Sequence, residues 1–307
     1  MEQSNNTKPK TNKSAPVVIS AEILVQGVVG LVSLPEVCVK ISEMVDNPRC
    51  SAAHIGKVID KDAALTARLL KIVNSAFYRF PSKIETVTRA ITIIGYRELR
   101  ELVFAATVAG IFERVCNDVV NLDGFWRHGI YCGILSRLIA EKCRVLHSER
   151  LFVAGLMHDI GQLIISYKLP KVMCQISARC GDDHSRVHEV EKEILGFSHA
   201  DVGAELMKAW QFPQSHQNVA RYHHLPSAAE DNVLEVSIVY LANIISHVAE
   251  TGLVDQSSLA VVDKDIWRIT QLSIDDVEPL LVEARDQFIE TLALFRPKGR
   301  GNSDFAA

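Results

Sequence analysis

From about residue 35 to residue 294, apolar positions return every three or four residues, the spacing that puts them on one face of a helix. Val37, Ile41 and Val45 form the first such stripe, with Pro35 placed near a helix start. Ser51 is positioned to cap a helix carrying Ile55, Val58 and Ile59, and Asp62 opens another carrying Leu65, Leu69, Ile72 and Val73. That helix should stop near Asn74 and Ser75, whose side chains compete with the backbone for hydrogen bonds. Pro81 forces a turn, after which Val87, Ala90, Ile91 and Ile94 make a stripe ending at Gly95. The run from Arg97 to Val115 is apolar and contains β-branched residues, but its length favours a buried helix over a strand.

Past residues 116–124, which read as a loop, helices are predicted at Phe125–Lys142, Ser148–Ser166, Pro170–Ala178, His184–Gly196, Ser198–Trp210, Pro213–His223, Val233–Glu250, Lys264–Thr270 and Asp275–Leu294. No series of short strands with glycine turns occurs, and no repeat of solenoid period. The expectation is an all-α chain. Residues 1–17 and 297–307 are read as tails, 18–119 as an N-terminal helical subdomain, and 120–296 as a second helical subdomain with the C-terminal helices.

With 307 residues and 48% apolar content, the chain can bury a large core. A formal charge of −4, with no run of Lys and Arg, argues against a duplex nucleic-acid partner. The seven cysteines are odd in number and none forms a CxxC pair, which suits reduced thiols and a cytoplasmic setting. The polar N-terminus lacks a signal-like apolar core. Apolar runs that approach the roughly 20 residues of a membrane span are interrupted by Arg, Glu or His, so no membrane partner is expected.

Candidate chemistry centres on His158 and Asp159 in AGLMHDIGQL. Apolar neighbours on both sides send this pair towards the core, where an unpaired carboxylate is very costly. Asp159 therefore needs an arginine, several hydrogen bonds or a metal. The imidazole beside it suits iron, manganese or zinc, as one or two divalent ions. On an unbroken helix, adjacent side chains diverge by about 100°, so both reach one ion only where the helix edge meets a cavity. His128, His199, His223 and His224 lie in similarly apolar settings on other elements. Two readings stay open: the histidines share an ion with Asp159, or His223 and His224 cap a helix end, His128 is a half-buried surface residue and Asp159 bonds a backbone amide.

The motifs LVSLPEV, DKDAALTARLLKIVNSAFY and RAITIIGYREL in the first part resemble the HDOD (HD-related output domain) family, a branch of the HD-domain superfamily seen in bacterial signalling proteins. So do FWRHG, LFVAGLMHDIGQL, EILGFSHADVGAELMKAW and YHH in the second. The likeness runs from about Val29 to Glu250. It implies an HD-like helical core with an additional N-terminal bundle, and a metal site at His128, His158, Asp159, His199, His223 and His224. In relatives that hydrolyse cyclic dinucleotides an aspartate closes the pattern and a lysine follows the doublet. Here those positions match Asn243 and Gln162. If the site were active, Asp159, His223 and His224 would be its catalytic groups.

Asn243 lowers the negative charge available to a cation, and Gln162 offers a hydrogen bond without a charge. The resemblance therefore implies a regulatory module, binding a signalling protein or a small phosphorylated ligand, rather than an enzyme. A metal-dependent phosphohydrolase acting on a nucleotide or cyclic dinucleotide is the alternative. Arg68 is expected to pair with Asp62 or a neighbouring acidic group. Asn74 and Ser75 either tie down a helix junction or face a ligand groove, with Tyr78, Phe80 and Trp126 as aromatic lining or as core.

Overall fold

The computed structural model describes residues 19–295 apart from 31, 33, 46, 76–77, 79, 116–120, 182–183 and 252–258. Both expected tails and most of the loop at 116–124 lie outside the described residues. Among the described residues every regular element is helical, as the apolar spacing predicts. The N-terminal part holds α1 (Ala21–Val29), α2 (Glu36–Val45), α3 (Ala52–Ile59), α4 (Ala63–Val73), α5 (Val87–Ile94) and α6 (Tyr96–Val115). The second part holds α7 (Leu122–Lys142), α8 (Glu149–Met157), α9 (Ile160–Lys168), α10 (Pro170–Cys180), α11 (Val187–Leu195), α12 (His199–Ala209), α13 (Gln214–Tyr222), α14 (Val233–Thr251), α15 (Lys264–Thr270) and α16 (Val277–Phe295).

Local chemistry sets the helix ends. The Ser51 hydroxyl accepts the His54 amide, and the Asp62 carboxylate accepts the amides of Ala64 and Leu65 at 3.0 Å. With Asp62 spent on its cap, Arg68 does not pair with it. The guanidinium instead donates to the Ala106 carbonyl on α6. Asn74 bridges the end of α4 to the following loop: its amide donates to the carbonyls of Leu70 and Ile84, and its oxygen accepts the Ile84 amide, each at 2.7 Å. Ser75 donates to the Ile72 carbonyl. The junction is a hydrogen-bonded corner.

One helix escapes the sequence pattern. α1 is capped by Ser20 and buries Leu24, Val25 and Val28, but it packs on α12 and α9 of the second part. The indole of Trp210, at the end of α12, donates to the Val32 carbonyl at 3.2 Å and fixes this return of the chain. A single buried apolar cluster runs through both parts. At its centre lies α7, enclosed by α8, α14 and α16. Arg137 on α7 is 3% exposed and donates to Gln287 of α16 at 2.7 Å, so this interior charge is solvated by the protein. The window Val233–Glu250 has the length and mean hydropathy (1.4) of a membrane span, but 56% of it is buried against other helices.

Glu101 of α6 and His216 of α13 meet across the two parts at 3.5 Å, both buried. Burial pushes the Glu101 carboxyl up to about 8. Burial, with Arg150 and Arg100 nearby, pushes His216 down to about 3. The folded state thus keeps both groups uncharged near neutrality. Between 4.5 and 8 the unfolded chain has lost the Glu101 proton that the folded chain retains, so stability falls as pH rises. Between 3 and 6.5 the unfolded chain holds a His216 proton that the folded chain lacks, so stability rises with pH. The two slopes cancel from 4.5 to 6.5. Relative to Glu101→Gln, which has no carboxyl to titrate, the urea midpoint of the parent should therefore fall as pH rises from 4.5 to 8; a difference that stays constant over that range would refute the assignment.

Candidate metal centre

The predicted helix Ser148–Ser166 is broken. α8 ends at Met157 and α9 starts at Ile160, with Asp159 between them at φ −94° and ψ 8°. Asp159 stands at the N-cap of α9, yet its carboxylate makes no capping hydrogen bond. At the break the two side chains turn towards each other, with His158 Nε2 3.3 Å from Asp159 Oδ2.

Around Asp159 the structure brings together every histidine that the resemblance singles out. Oδ1 lies 3.2 Å from Nε2 of His199 and 3.2 Å from Nε2 of His223. Nε2 of His224 lies 2.8 Å from Nε2 of His199 and completes a group of four. Oδ2 lies 3.3 Å from Nε2 of His158 and 3.9 Å from Nε2 of His128. One carboxylate thus faces imidazoles from α7, the α8–α9 break, α12 and the end of α13.

Four of these imidazoles, those of His158, His223, His199 and His128, are held by their other nitrogen. Nδ1 of His158 reaches the Gly155 carbonyl at 2.7 Å, and Nδ1 of His223 the Ala220 carbonyl at 2.8 Å. Nδ1 of His199 lies 2.6 Å from the fully buried carboxylate of Glu191, which also accepts the His199 amide at 2.7 Å. Nδ1 of His128 lies 3.3 Å from Glu250. His223 thus does engage a helix-end carbonyl, but with the nitrogen remote from Asp159. Pinning Nδ1 as a donor leaves the Nε2 lone pair for a cation, the usual outer support of metal-bound histidine.

This donor set fits a divalent metal. The Nε2 atoms of His128, His158 and His223, with Asp159 Oδ1, are buried and lack hydrogen-bond partners, although they converge within contact distance. Burial opposes charge on Asp159, but His158, then His199 and His223, hold its carboxyl well below the usual range. Burial likewise opposes charge on His158, which Asp159 raises well above an ordinary imidazole. Burial pushes His223 down to about 4.

Close helix approach makes the convergence possible. A Cβ on Gly129 would lie 2.7 Å from the Leu156 carbonyl oxygen, so this glycine lets α7 touch α8 and sets His128 beside His158, ring centroids 5.3 Å apart. At Gly161 a Cβ would fall 2.0 Å from the His199 carbonyl oxygen.

A cleft of about 380 Å³ opens onto the cluster. Gln162 and Asn243 line it, as do Phe125, Ser166, Cys180, His247 and Glu250. No lysine or arginine is among the described residues that form its wall. Asn243 Oδ1 is buried without a partner. Tyr78, Phe80 and Trp126 are not part of the wall; Tyr78 stacks on Phe80 at 5.4 Å and Trp126 meets Phe125 edge-on. The sequence reading missed Glu191, His247 and Glu250. His247 and Glu250 follow Asn243 at four and seven residues, a helical spacing that could have revealed them.

An HDOD domain model matches residues 31–226, and the chain belongs to that family. An uncharacterized protein of Treponema pallidum (strain Nichols) is 24% identical over 213 residues, 69% of this chain and 41% of that relative. The match therefore spans less than half of the relative's length. A Shewanella amazonensis SB2B structure, provisionally named a phosphohydrolase, superposes with a TM-score of 0.71 at 24% identity, covering 89% of this chain and 98% of its own. An HDOD domain protein with unknown function from Geobacter sulfurreducens gives 0.68 at 22% identity, covering 90% and 97%. These structures share the all-α fold.

Gly161→Ala should destabilise the protein by about 1–3 kcal/mol, because the added methyl meets backbone on α12 rather than a movable side chain. Gly27→Ala, on an exposed face of α1 with nothing within 4 Å of its Cβ, should instead stabilise by roughly 0.5–1 kcal/mol. Chemical denaturation of both variants checks the pair, and a harmless Gly161→Ala would contradict the close α9–α12 approach.

Proposed function

We propose that this chain is a regulatory HDOD module whose cleft binds a small phosphorylated ligand at a divalent metal centre, without turning it over. The carrying observation is the ring of Nδ1-anchored imidazoles aimed at Asp159, at the base of an open cleft with no lysine or arginine among the described residues of its wall. Asp159, His199, His223 and His224 form the donor group for a first ion, of iron, manganese or zinc type. An ion held there would supply positive charge for a phosphate oxygen.

The protein's own groups do the rest. Gln162 and Ser166 offer neutral hydrogen bonds along the wall, and Phe125 and Leu163 offer an apolar face to the remainder of the ligand. Asn243 carries no negative charge and accepts no proton at neutral pH, so this position adds no carboxylate to that of Asp159. Gln162 gives a leaving phosphate no charge to rest on. The family resemblance to signalling proteins supports the regulatory role, with a signalling protein as the partner that reads the bound state. The free cysteines among the described residues fit a reducing, cytoplasmic setting.

A metal-dependent phosphohydrolase is the second reading. It is favoured by the two faces of Asp159, with His199 and His223 on Oδ1 and His128 and His158 on Oδ2. Such an arrangement suits two ions sharing one carboxylate.

Elemental analysis of aerobically and anaerobically purified protein should find bound transition metal, and Asp159→Ala should lose it. Equal metal content in parent and variant would end the metal reading. In turnover assays with bis(p-nitrophenyl) phosphate and p-nitrophenyl phosphate, the parent should stay at background while Asn243→Asp gains roughly 10²-fold. Parent hydrolysis that disappears in Asp159→Ala would establish the enzyme reading instead.

A further inference from the structure

Two donors at the mouth of the cleft, His247 and Glu250, fall outside the ring around Asp159 and meet His128 at its outer nitrogen. His247 and Glu250 sit three residues apart on one face of α14, so their side chains leave the helix together. Opposite them on α7, His128 stacks on His247 with ring centroids 4.4 Å apart and planes 24° apart. Nδ1 of His128 lies 3.3 Å from Glu250 Oε1, and Nδ1 of His247 lies 3.8 Å from Oε2. One ligand atom from each of the three falls within 4.8 Å of the other two. The side chains of His247 and Glu250 are 42% and 40% exposed, so the group opens to solvent and to the cleft.

We infer that His128, His247 and Glu250 form a separate, exchangeable divalent-cation site at the rim, which supplies the positive charge that the cleft wall lacks. Two imidazoles and one carboxylate are a donor set for manganese, iron or zinc, and three protein ligands leave coordination positions for water or a phosphate oxygen. The site shares only His128 with the ring around Asp159; its role in holding an anionic ligand rests on the proposed function.

Charge supports the assignment. Arg127, next to His128 in sequence, lies over the Phe288 ring at 5.3 Å and is not part of the cleft wall. Glu250 and Asp159 both face the cleft, so a phosphate entering the ion-free site meets two carboxylates and no cation among the described lining residues. A rim ion reverses that field where the ligand enters.

His128 links the two sites through its tautomer. With the rim empty, Nδ1–H donates to Glu250 and the Nε2 lone pair faces Asp159. An ion on Nδ1 would require the ring proton to sit on Nε2, the nitrogen that faces Asp159 Oδ2 at 3.9 Å. The rim ion therefore competes with any ion that would use His128 from the inner side.

The test counts bound Mn2+ from the electron paramagnetic resonance signal of free Mn2+, on full-length protein stripped by chelator. His247→Phe keeps a ring to stack on His128 but removes the donor nitrogens, and Glu250→Gln keeps an acceptor for His128 but removes the charge. Each should lose one weakly bound equivalent and retain the tightly bound one. Asp159→Ala should lose the tight equivalent and retain the weak one. Inorganic phosphate should bind the Mn2+-loaded parent about tenfold more tightly than loaded His247→Phe. Full Mn2+ binding by His247→Phe and Glu250→Gln, with circular dichroism unchanged, would overturn the rim site whatever Asp159→Ala does. Failure of Asp159→Ala alone to lose an equivalent would count against the deep centre only.

Discussion

A buried carboxylate at the base of a cleft is the constraint that organises the second half of this molecule. Asp159 is 8% exposed, and no lysine or arginine reaches it among the described contacts. An isolated charge there would cost several kcal/mol or more. The fold answers with imidazoles from four separate segments, each held from behind. Glu191, itself fully buried, is tolerable only because the His199 amide and ring both turn to it. The break between α8 and α9 and the close passage of Gly161 against α12 are the backbone conditions for that convergence. Shifting α9 away from α12 would separate the Asp159 carboxylate from His199, one of the imidazoles that face it.

The helical architecture was legible because most helices are amphipathic and have chemical caps. Ser51, Asp62 and Pro170 mark helix starts by mechanisms that act within one turn of chain. The features the pattern could not show depend on distant packing. α1 is short and is fixed on α12 by a bond from Trp210 to Val32. The α8–α9 break is invisible to periodicity, since residues 151 to 161 are buried without a polar face. An apolar stripe shows where a helix faces, and it has no contrast where every side is covered.

Site residues divide in the same way. The six ligand-type positions His128, His158, Asp159, His199, His223 and His224 were found through motif resemblance, and the structure places them around one cleft. Composition and spacing alone left them undecided between ligation and capping. The structure shows why: His223 satisfies a helix-end carbonyl with Nδ1 while Nε2 faces Asp159, so the two descriptions concern different atoms. Glu191 was unreadable for another reason. In VHEVEKEIL it is one of three acidic residues, and only the packing of α11 beside α12 makes it the buried one.

The two departures from the hydrolytic pattern act in the same direction. Asn243 stands on α14 with a buried, unpartnered oxygen facing the cleft, so its position is preserved while its charge is not. An amide oxygen can still bind a cation weakly, but it cannot take a proton from water at neutral pH. Gln162 likewise keeps a hydrogen bond where a lysine would stabilise negative charge as it builds up. Groups that position a phosphate remain, and groups that drive its cleavage are reduced to neutral analogues. Binding needs only the former; turnover needs interactions that strengthen as the bond breaks. On the proposed reading, the cleft holds a phosphorylated ligand without consuming it.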